Sequence, residues 1–440
     1  MRVYLHRLGC PKNDVDADYI AARLTHDGHV FTDDATEAEA IIVNTCGFIA
    51  DAKEESIEAI LELAEYKTAG TSKSIYVTGC LSQRYGEELL AEIPEVDAVF
   101  GLGALDDLAA AIGGQRQRAA FLTDARSLRY LGYATRQITD NLPYAFVKIS
   151  DGCNRRCSYC AIPSIRGDYR SRPIDSIVNE ARFLAEHGKR ELILVSQEAT
   201  LYGNDLGKKG GIVKLLQALD EVEGVEWIRL MYLHPAQLTG DLISYIASSA
   251  NKTVPYFDLP LQHINDRILT AMKRHSNRAQ IQRLVESIRK VAPAGTLRTT
   301  FIVGFPGETD AEFGELMKFV EEVEFDRLGA FVYCAEEGTS AAALPEPVPA
   351  ELAHERLDQL MLLQQDIAMT ANKGLIGSTR DIIIDRLDAA DQAVGRTQGD
   401  CPDIDQEVIV RSPDLEVGQI IRAHIVDAQG YDLYGQMVED

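Results

Sequence analysis

The chain is poor in basic charge, in long apolar runs and in cysteine, and each shortage excludes something. Its 44 Lys and Arg stand against 68 Asp and Glu, a formal net charge of −24. A protein that grips nucleic acid through phosphates carries a basic face, so this balance argues against a large phosphate footprint. An acidic surface suits a basic protein partner. No apolar run is long enough to span a bilayer, and the chain opens directly on the strand-like Val3-Tyr4-Leu5, with no signal peptide. Both features imply a soluble, cytoplasmic protein with no membrane partner. Eight cysteines in 440 residues are too sparse for a disulfide framework. At 46% hydrophobic and 25% charged, the composition is that of a globular chain with core enough for two to four domains.

What cysteine there is, is concentrated. Cys153, Cys157 and Cys160 form a C-x3-C-x2-C run directly after the apolar stretch Tyr144–Ile149. Three thiolates can bind three irons of a cubane cluster, and no fourth cysteine follows nearby. One iron is then left open for a ligand, unlike the four-cysteine clusters of electron carriers. A structural zinc site is the alternative, but it needs a fourth Cys or His, and the nearest downstream histidine is His187 at the end of an expected helix.

Three segments can be read, with expected boundaries 1–114, 141–370 and 371–440 and a weakly periodic linker over 115–140. In the first, β-type runs at Arg2–Leu5, Ala40–Val43 and Ser74–Val77 alternate with helical patterns at Asp16–Thr25 and Ala50–Tyr66, the latter closed by Gly70. This is a Rossmann-like parallel α/β unit. Cys10, Cys46 and Cys80 follow its three strands, so all three emerge at the carboxyl edge, where open α/β sheets bind ligands. They make a second candidate cluster site, again one ligand short. The alternative is three unrelated turn cysteines.

The second segment alternates six strands (Tyr144–Ile149, Glu191–Val195, Trp227–Leu230, Tyr256–Leu259, Leu297–Val303, Arg327–Tyr333) with helices that include Ile174–Glu186, Ile212–Val222, Arg278–Lys290 and Ala311–Val320. A (β/α)6 partial TIM-type barrel is expected, with its chemistry at the carboxyl ends of the strands. There lie Gln197 and Glu198, His234, Gln262 and His263, the turn Gly304-Phe305-Pro306-Gly307-Glu308, and Glu336-Glu337. For any one of them, a cap or core hydrogen bond is the alternative. Arg166, Arg170 and Arg172, just past the cysteine loop, are candidates to meet a carboxylate of cofactor or substrate; a solvated basic turn is the alternative. Cys334 and Cys401 read as ordinary thiols. A helical stretch, Ala350–Asn372, closes the segment.

The third segment reads as a small all-β barrel of the OB type, with strands at Ile382–Ile384, Glu407–Val410, Gln419–Ile425 and Tyr434–Val438. From Lys373 onward it holds six Lys and Arg against fourteen Asp and Glu, a poor nucleic-acid surface and a better match to a basic protein.

Taken together, the chain resembles the methylthiotransferases of the radical S-adenosylmethionine (radical SAM) superfamily nearly end to end. The runs Leu8-Gly9-Cys10-Pro11-Lys12-Asn13, Asn44-Thr45-Cys46-Gly47-Phe48-Ile49, Cys160-Ala161-Ile162-Pro163-Ser164-Ile165-Arg166-Gly167 and Leu259-Pro260-Leu261-Gln262-His263 resemble the RimO-type branch. That branch modifies an aspartate of small-subunit ribosomal protein S-twelve. The transfer-RNA branch tends to carry Gly-Cys-Gln-Met-Asn at the first cysteine. One departure is Asp16-Ala17-Asp18 where Asp-Ser-Glu is common, which touches no cysteine.

The resemblance implies a C-terminal TRAM domain, two 4Fe-4S clusters and S-adenosylmethionine. Cys153, Cys157 and Cys160 would serve the radical cluster, and Cys10, Cys46 and Cys80 an auxiliary cluster that carries the sulfur. Gln197, Glu198, His234, Gly304, Gly307 and Glu308 would face the cofactor, and Arg166, Arg170, Gln262 and His263 the substrate. A radical would remove hydrogen from the β-carbon of the target aspartate, since an unactivated C–H bond does not yield to acid–base chemistry. The two cysteine sets must then face each other. Expected partners are protein S-twelve, free or in the assembled small subunit, and a flavodoxin-type electron donor; a monomer suffices. A transfer-RNA adenosine methylthiotransferase and a non-catalytic metal or cluster scaffold for basic ribosomal proteins are the competing readings.

Overall fold

The structure is a computed structural model that describes residues 1–68, 74–114, 118–128, 136–389, 391–412 and 414–438. Gly70, Gln115, Arg116 and the 129–135 stretch of the expected linker lie outside the described residues.

The N-terminal unit is a six-stranded, wholly parallel sheet. Its strands run in the spatial order Val30–Phe31, Arg2–Arg7, Ala40–Thr45, Ser74–Gly79, Ala98–Phe100, Ala120–Phe121. The two central strands Ala40–Thr45 and Ser74–Gly79 are buried along their whole length, as a sheet covered on both faces requires. The chain reverses its direction across the sheet at Arg2–Arg7, so the crevice between that strand and Ala40–Thr45 is the topological switch point, where such folds place ligands. Cys10 and Cys46 leave these two strands. Ala120–Phe121 was expected as linker, and instead extends the sheet; the Phe121 ring stacks on Phe100 with centroids 5.1 Å apart.

The central unit has six parallel strands, Tyr144–Lys148, Glu191–Val195, Trp227–Leu230, Tyr256–Gln262, Thr296–Val303 and Arg327–Val332. They form two three-stranded blocks, third–second–first and fourth–fifth–sixth, joined by a parallel bridge between Ile228 and Thr253. This is the partial barrel. Along each strand one set of side chains (Ala145 and Val147; Leu192 and Leu194; Leu297, Phe301 and Val303) packs outward against the helices in one continuous core, leaving the alternate set for the lumen. The helices Ile174–Glu186, Gly211–Asp220, Arg278–Val291 and Asp310–Val323 lie within three residues of expectation. The last two begin with capping boxes, Asn277 with Gln280 and Thr309 with Glu312. The helix Ala350–Leu375 closes this unit and leads into the third.

The third unit is a closed barrel with strand order Thr379–Ala389, Gln392–Thr397, Val408–Arg411, Asp432–Met437, Ile420–Gln429. It is fastened beneath the central barrel. Fully buried Glu191 binds both Arg229 (2.8 Å) of the central barrel and Arg396 (2.8 Å) of the small one, and Arg396 also binds Asp385 (2.6 Å). Tyr256 donates to Asp405 (2.6 Å), and Arg327 pairs with Asp400. Tyr256, Glu191 and Arg327 open their strands, so the small barrel covers the amino ends and leaves the carboxyl ends to the N-terminal unit.

Candidate functional site

The first cysteine loop is built by short-range sterics. Gly9 sits at φ +98°, and a Cβ there would meet Cys46 Cβ at 2.8 Å and its Sγ at 3.2 Å. Only a residue without a side chain lets Cys10 and Cys46 come together. Pro11 then occupies the first turn of the helix Pro11–His26, where its missing N–H costs nothing, and Cys10 caps that helix. Cys80 is itself the first residue of the helix Cys80–Glu92. Helix N-termini favour negative charge, hence thiolate. Ser56 fixes Cys46 by accepting from its N–H and donating to its carbonyl, both at 3.0 Å.

Asn13 ties the three loops. Its Nδ2 donates to the Leu8 carbonyl (3.0 Å) and the Thr45 carbonyl (2.8 Å), and its Oδ1 lies 3.6 Å from Cys80 Sγ. Burial pushes the Cys80 thiol up to about 12, although Arg166 pulls it down. Burial raises the Cys46 thiol as well. These thiols need the positive charge of a metal to ionise, which is how metal binding and proton release are coupled.

The second loop faces the first. Cys153 Sγ accepts from the Arg155 N–H at 3.3 Å, the Cys160 N–H reaches the Cys157 carbonyl at 3.1 Å, and the Arg274 guanidinium lies 3.8 Å from Cys157 Sγ. Burial pushes Cys153 up to about 11 and Cys160 up to about 12. Just beyond, Ala161 and Ile165 pack directly on Cys80, so the two cysteine loops are neighbours. Among the described residues no three Cys, His, Asp or Glu converge to hold a single metal ion. Thiolates on a cubane each take a different iron.

The two halves meet through buried ion pairs. Arg166 donates to Asp16 (3.0 Å), Asp151 (3.3 Å) and Asn13 (2.8 Å) and reaches Cys80 Sγ at 3.3 Å. Lys148 joins Asp16 and Asp151. Burial would raise Asp151, but Lys148 and Arg166 override it and hold this carboxyl well below the usual range. Nearby, Lys53 (2.9 Å) and Arg84 (2.8 Å) of the N-terminal unit share one oxygen of Glu336, which follows the sixth barrel strand. Arg136 binds Asp18 (2.7 Å) and Glu180 (3.1 Å), bridging the two units.

The other expected site residues divide. Glu198 accepts from Arg155 at 2.6 Å, and Gln197 donates to Asp151 at 3.3 Å with its Oε1 buried and unpartnered. His234 accepts from the Ala236 N–H through Nδ1 (3.2 Å) while its Nε2 is buried without a partner; burial and the nearby Arg274 and Arg155 push it down to about 2, so it is neutral. Gln262 lies at a register shift with φ +72°. Arg170 donates to the Asp168 and Arg166 carbonyls. His263 and Glu308 pair with each other at 3.2 Å in the interior, and Arg356 of the closing helix also holds Glu308 (3.1 Å). A Cβ on Gly304 would strike Ala353 Cβ of that helix at 2.6 Å, so its smallness serves the packing of the closing helix. Gly307 follows at φ +76°. Cys334 lies against Glu336 and Cys401 is buried beneath the barrel.

Sequence reasoning passed over Asn13, Asp16, Asp151, Arg155 and Arg274. Lys12 and Asn13 stood inside a quoted motif. Arg274 is flanked by Lys273 and His275, both at positive φ, a backbone feature that sequence does not announce.

Comparison with known proteins agrees. Residues 147–320 match the radical SAM superfamily, residues 2–101 the uncharacterized protein family UPF0004, and residues 376–438 the TRAM domain. The chain is 43% identical over 442 residues to the ribosomal protein uS12 methylthiotransferase RimO of Aquifex aeolicus (strain VF5), spanning 100% of this chain and 98% of that one. It is 42% identical over 441 residues to the protein of that name from Clostridioides difficile (strain 630), at 100% and 99% coverage. Among solved structures it is similar in fold to the radical S-adenosylmethionine methyltransferase TsrM of Kitasatospora setae, with a TM-score of 0.59 at 14% identity over 84% of this chain and 90% of that one.

Proposed function

The chain belongs to the ribosomal protein uS12 methylthiotransferase RimO family, and on that premise we propose how its residues divide the work. It is a radical SAM enzyme that acts on uS12, using 4Fe-4S clusters and S-adenosylmethionine. The finer reading is that the methylthio group goes to the β-carbon of an aspartate. The observation that carries it is the apposition of two three-thiol loops across a buried seam, with Arg166 touching Cys80 while it binds Asp151, two residues before Cys153.

In this reading Cys153, Cys157 and Cys160 hold the cluster that works with the cofactor, and Cys10, Cys46 and Cys80 hold the auxiliary one. The donor sets fit anionic clusters: thiols in both loops, flanked by Arg155, Arg274 and Arg166. Bound, these groups supply a carbon-centred radical and the sulfur to be transferred. The chain's own part is position and exclusion of water. Arg274, which has Cys157 and the Pro260 carbonyl as partners, is placed to receive the cofactor carboxylate. His234 offers that carboxylate a buried unpartnered Nε2–H donor, and the buried unpartnered Oε1 of Gln197 is an acceptor suited to the cofactor's amino group. Glu198 orients Arg155. His263 and Glu308 hold the Gly304–Gly307 turn in shape, and Gln262, at the bulge, is kept as a substrate contact. Of the substrate contacts proposed from sequence, Arg166 joins the cysteine loop to the N-terminal unit, and Arg170 binds the Asp168 and Arg166 carbonyls within the loop itself.

An electron donor of flavodoxin type and a monomeric enzyme remain part of this proposal, as does action on free or assembled uS12. Among the described residues no helix is long and apolar enough to cross a membrane. The test is anaerobic reconstitution followed by assay for 5′-deoxyadenosine. Cys157→Ala should abolish cofactor cleavage and keep the auxiliary iron and sulfide; continued cleavage would overturn the assignment of the two loops.

A further inference from the structure

Most cations around the two cysteine loops have their counter-ions. Lys148 and Arg166 share Asp16 and Asp151, Arg155 has Glu198, and Lys53 and Arg84 have Glu336. Lys12 does not. Its side chain is 8% exposed, yet among the described residues no carboxylate lies within 4.0 Å of its ammonium. It has the Ser196 carbonyl at 3.5 Å, the outer limit of a hydrogen bond, the ring of Tyr232 at 3.8 Å from the centroid, and the Tyr232 hydroxyl and Cys10 thiol as neutral neighbours that favour its charge. An ammonium carries three donors, and a buried charge without a partner is expensive unless an anion reaches it.

Its position says where that anion comes from. Lys12 stands two residues after Cys10, on the first turn of the helix Pro11–His26. It reaches across to Ser196 and Tyr232, which follow the second and third barrel strands at their carboxyl ends. The ammonium therefore spans the seam from the Cys10 loop to the mouth of the barrel, where the proposed function would place the substrate carbon. Tyr232 takes φ +61°, an unusual conformation for a tyrosine, and its ring lies against the ammonium.

We propose that Lys12 is the specificity-determining residue that recognises the carboxylate of the target side chain. The inference rests on the reading of the target as an aspartate of uS12. The ammonium binds the side-chain carboxylate, and that contact holds the adjacent carbon between the two cysteine loops. Lys12 positions the substrate and takes no part in bond making. It also accounts for selection of an acidic side chain over its amide, because the amide of asparagine would meet the same ammonium without a charge. The auxiliary cluster on Cys10 is the competing anion, and the experiment separates the two.

The test is the affinity of reconstituted enzyme, with S-adenosylmethionine, for uS12 and for uS12 with the target Asp replaced by Asn, in wild type, Lys12→Met and Lys12→Arg. A charge-assisted contact of this kind is worth about tenfold to a hundredfold in affinity. The wild type should prefer the aspartate form by that factor. Lys12→Met should bind both forms equally and weakly at full iron content, and Lys12→Arg should regain part of the preference. A preference that survives in Lys12→Met overturns the assignment. So does loss of half the iron in both variants, which would make Lys12 a counter-ion of the cluster. Should Lys12→Met not fold, Lys12→Gln carries the same comparison. A wild type that modifies uS12 without preferring the aspartate form sinks the role of Lys12 alone; one that neither modifies uS12 nor distinguishes the two forms sinks the functional reading with it.

Discussion

Replacing Gly9 with alanine should remove one cluster and leave the other, though Gly9 ligates nothing. The added Cβ meets two penalties. At φ +98° an L-residue is strained by about 1–2 kcal/mol. The contact with Cys46 Cβ at 2.8 Å adds an overpacking cost of about 1–3 kcal/mol. The total of about 2–5 kcal/mol is relieved most cheaply if Cys46 moves away from Cys10, which dismantles the auxiliary donor set. Gly28→Ala is the control. Gly28 sits at φ +87° with nothing within 4 Å of its would-be Cβ, so it carries the strain without the clash. Anaerobic reconstitution with iron and sulfide analysis reads the outcome. Gly9→Ala should bind half the wild-type iron, still yield 5′-deoxyadenosine and transfer no methylthio group, while Gly28→Ala keeps its full iron and loses about 1–2 kcal/mol of stability. Full iron and full transfer in Gly9→Ala would refute the steric account of this loop.

Other outcomes follow from the same structure. Glu336→Gln leaves Lys53 and Arg84 without their shared buried carboxylate; the uncompensated charges should cost about 3–5 kcal/mol, read as a lower denaturant midpoint and easier proteolysis between the first two units. Glu191→Gln does the same to Arg229 and Arg396, and calorimetry should show the small barrel melting separately from the central one. His234 is held neutral down to about 2 by burial and by Arg274 and Arg155. The unfolded chain takes up a proton below about 6.5 and the native chain does not, so stability falls with pH, by about 2 kcal/mol between pH 6.5 and 5. Thermal melts of the metal-free protein should lose that part of their acid slope in His234→Gln.

The helices of the central barrel were legible from their apolar periodicity and the strands as short apolar runs bounded by turn residues; Glu191–Val195 and Trp227–Leu230 coincide end to end with their observed bounds. The two cysteine loops were legible as candidate sites because spacing and strand register put Cys10, Cys46 and Cys80, and Cys153, Cys157 and Cys160, after the carboxyl ends of parallel strands. Less legible was anything that depends on one unit docking on another. The helix Pro11–His26 begins five residues before the expected Asp16, because Lys12 and Asn13 look like solvated loop residues and are in fact buried in the seam. Gln392–Thr397 was missed as a strand because Gly395 and Arg396 break its pattern. Yet Gly395 allows the close approach of Ile383, whose carbonyl lies 2.2 Å from its would-be Cβ, and Arg396 reaches Glu191 beneath the central barrel. Arg166 was legible as a functional cation but not as to its partner, since Asp16, Asn13 and Cys80 lie more than 80 residues away in sequence.

The most direct measurement is mass spectrometry after an anaerobic reaction of the reconstituted enzyme with S-adenosylmethionine, a reductant, uS12 and transfer RNA in one vessel. The account predicts a methylthio-sized gain on an aspartate of uS12 and none on the RNA, consistent with a chain of net charge −24. A gain on the RNA alone would contradict it.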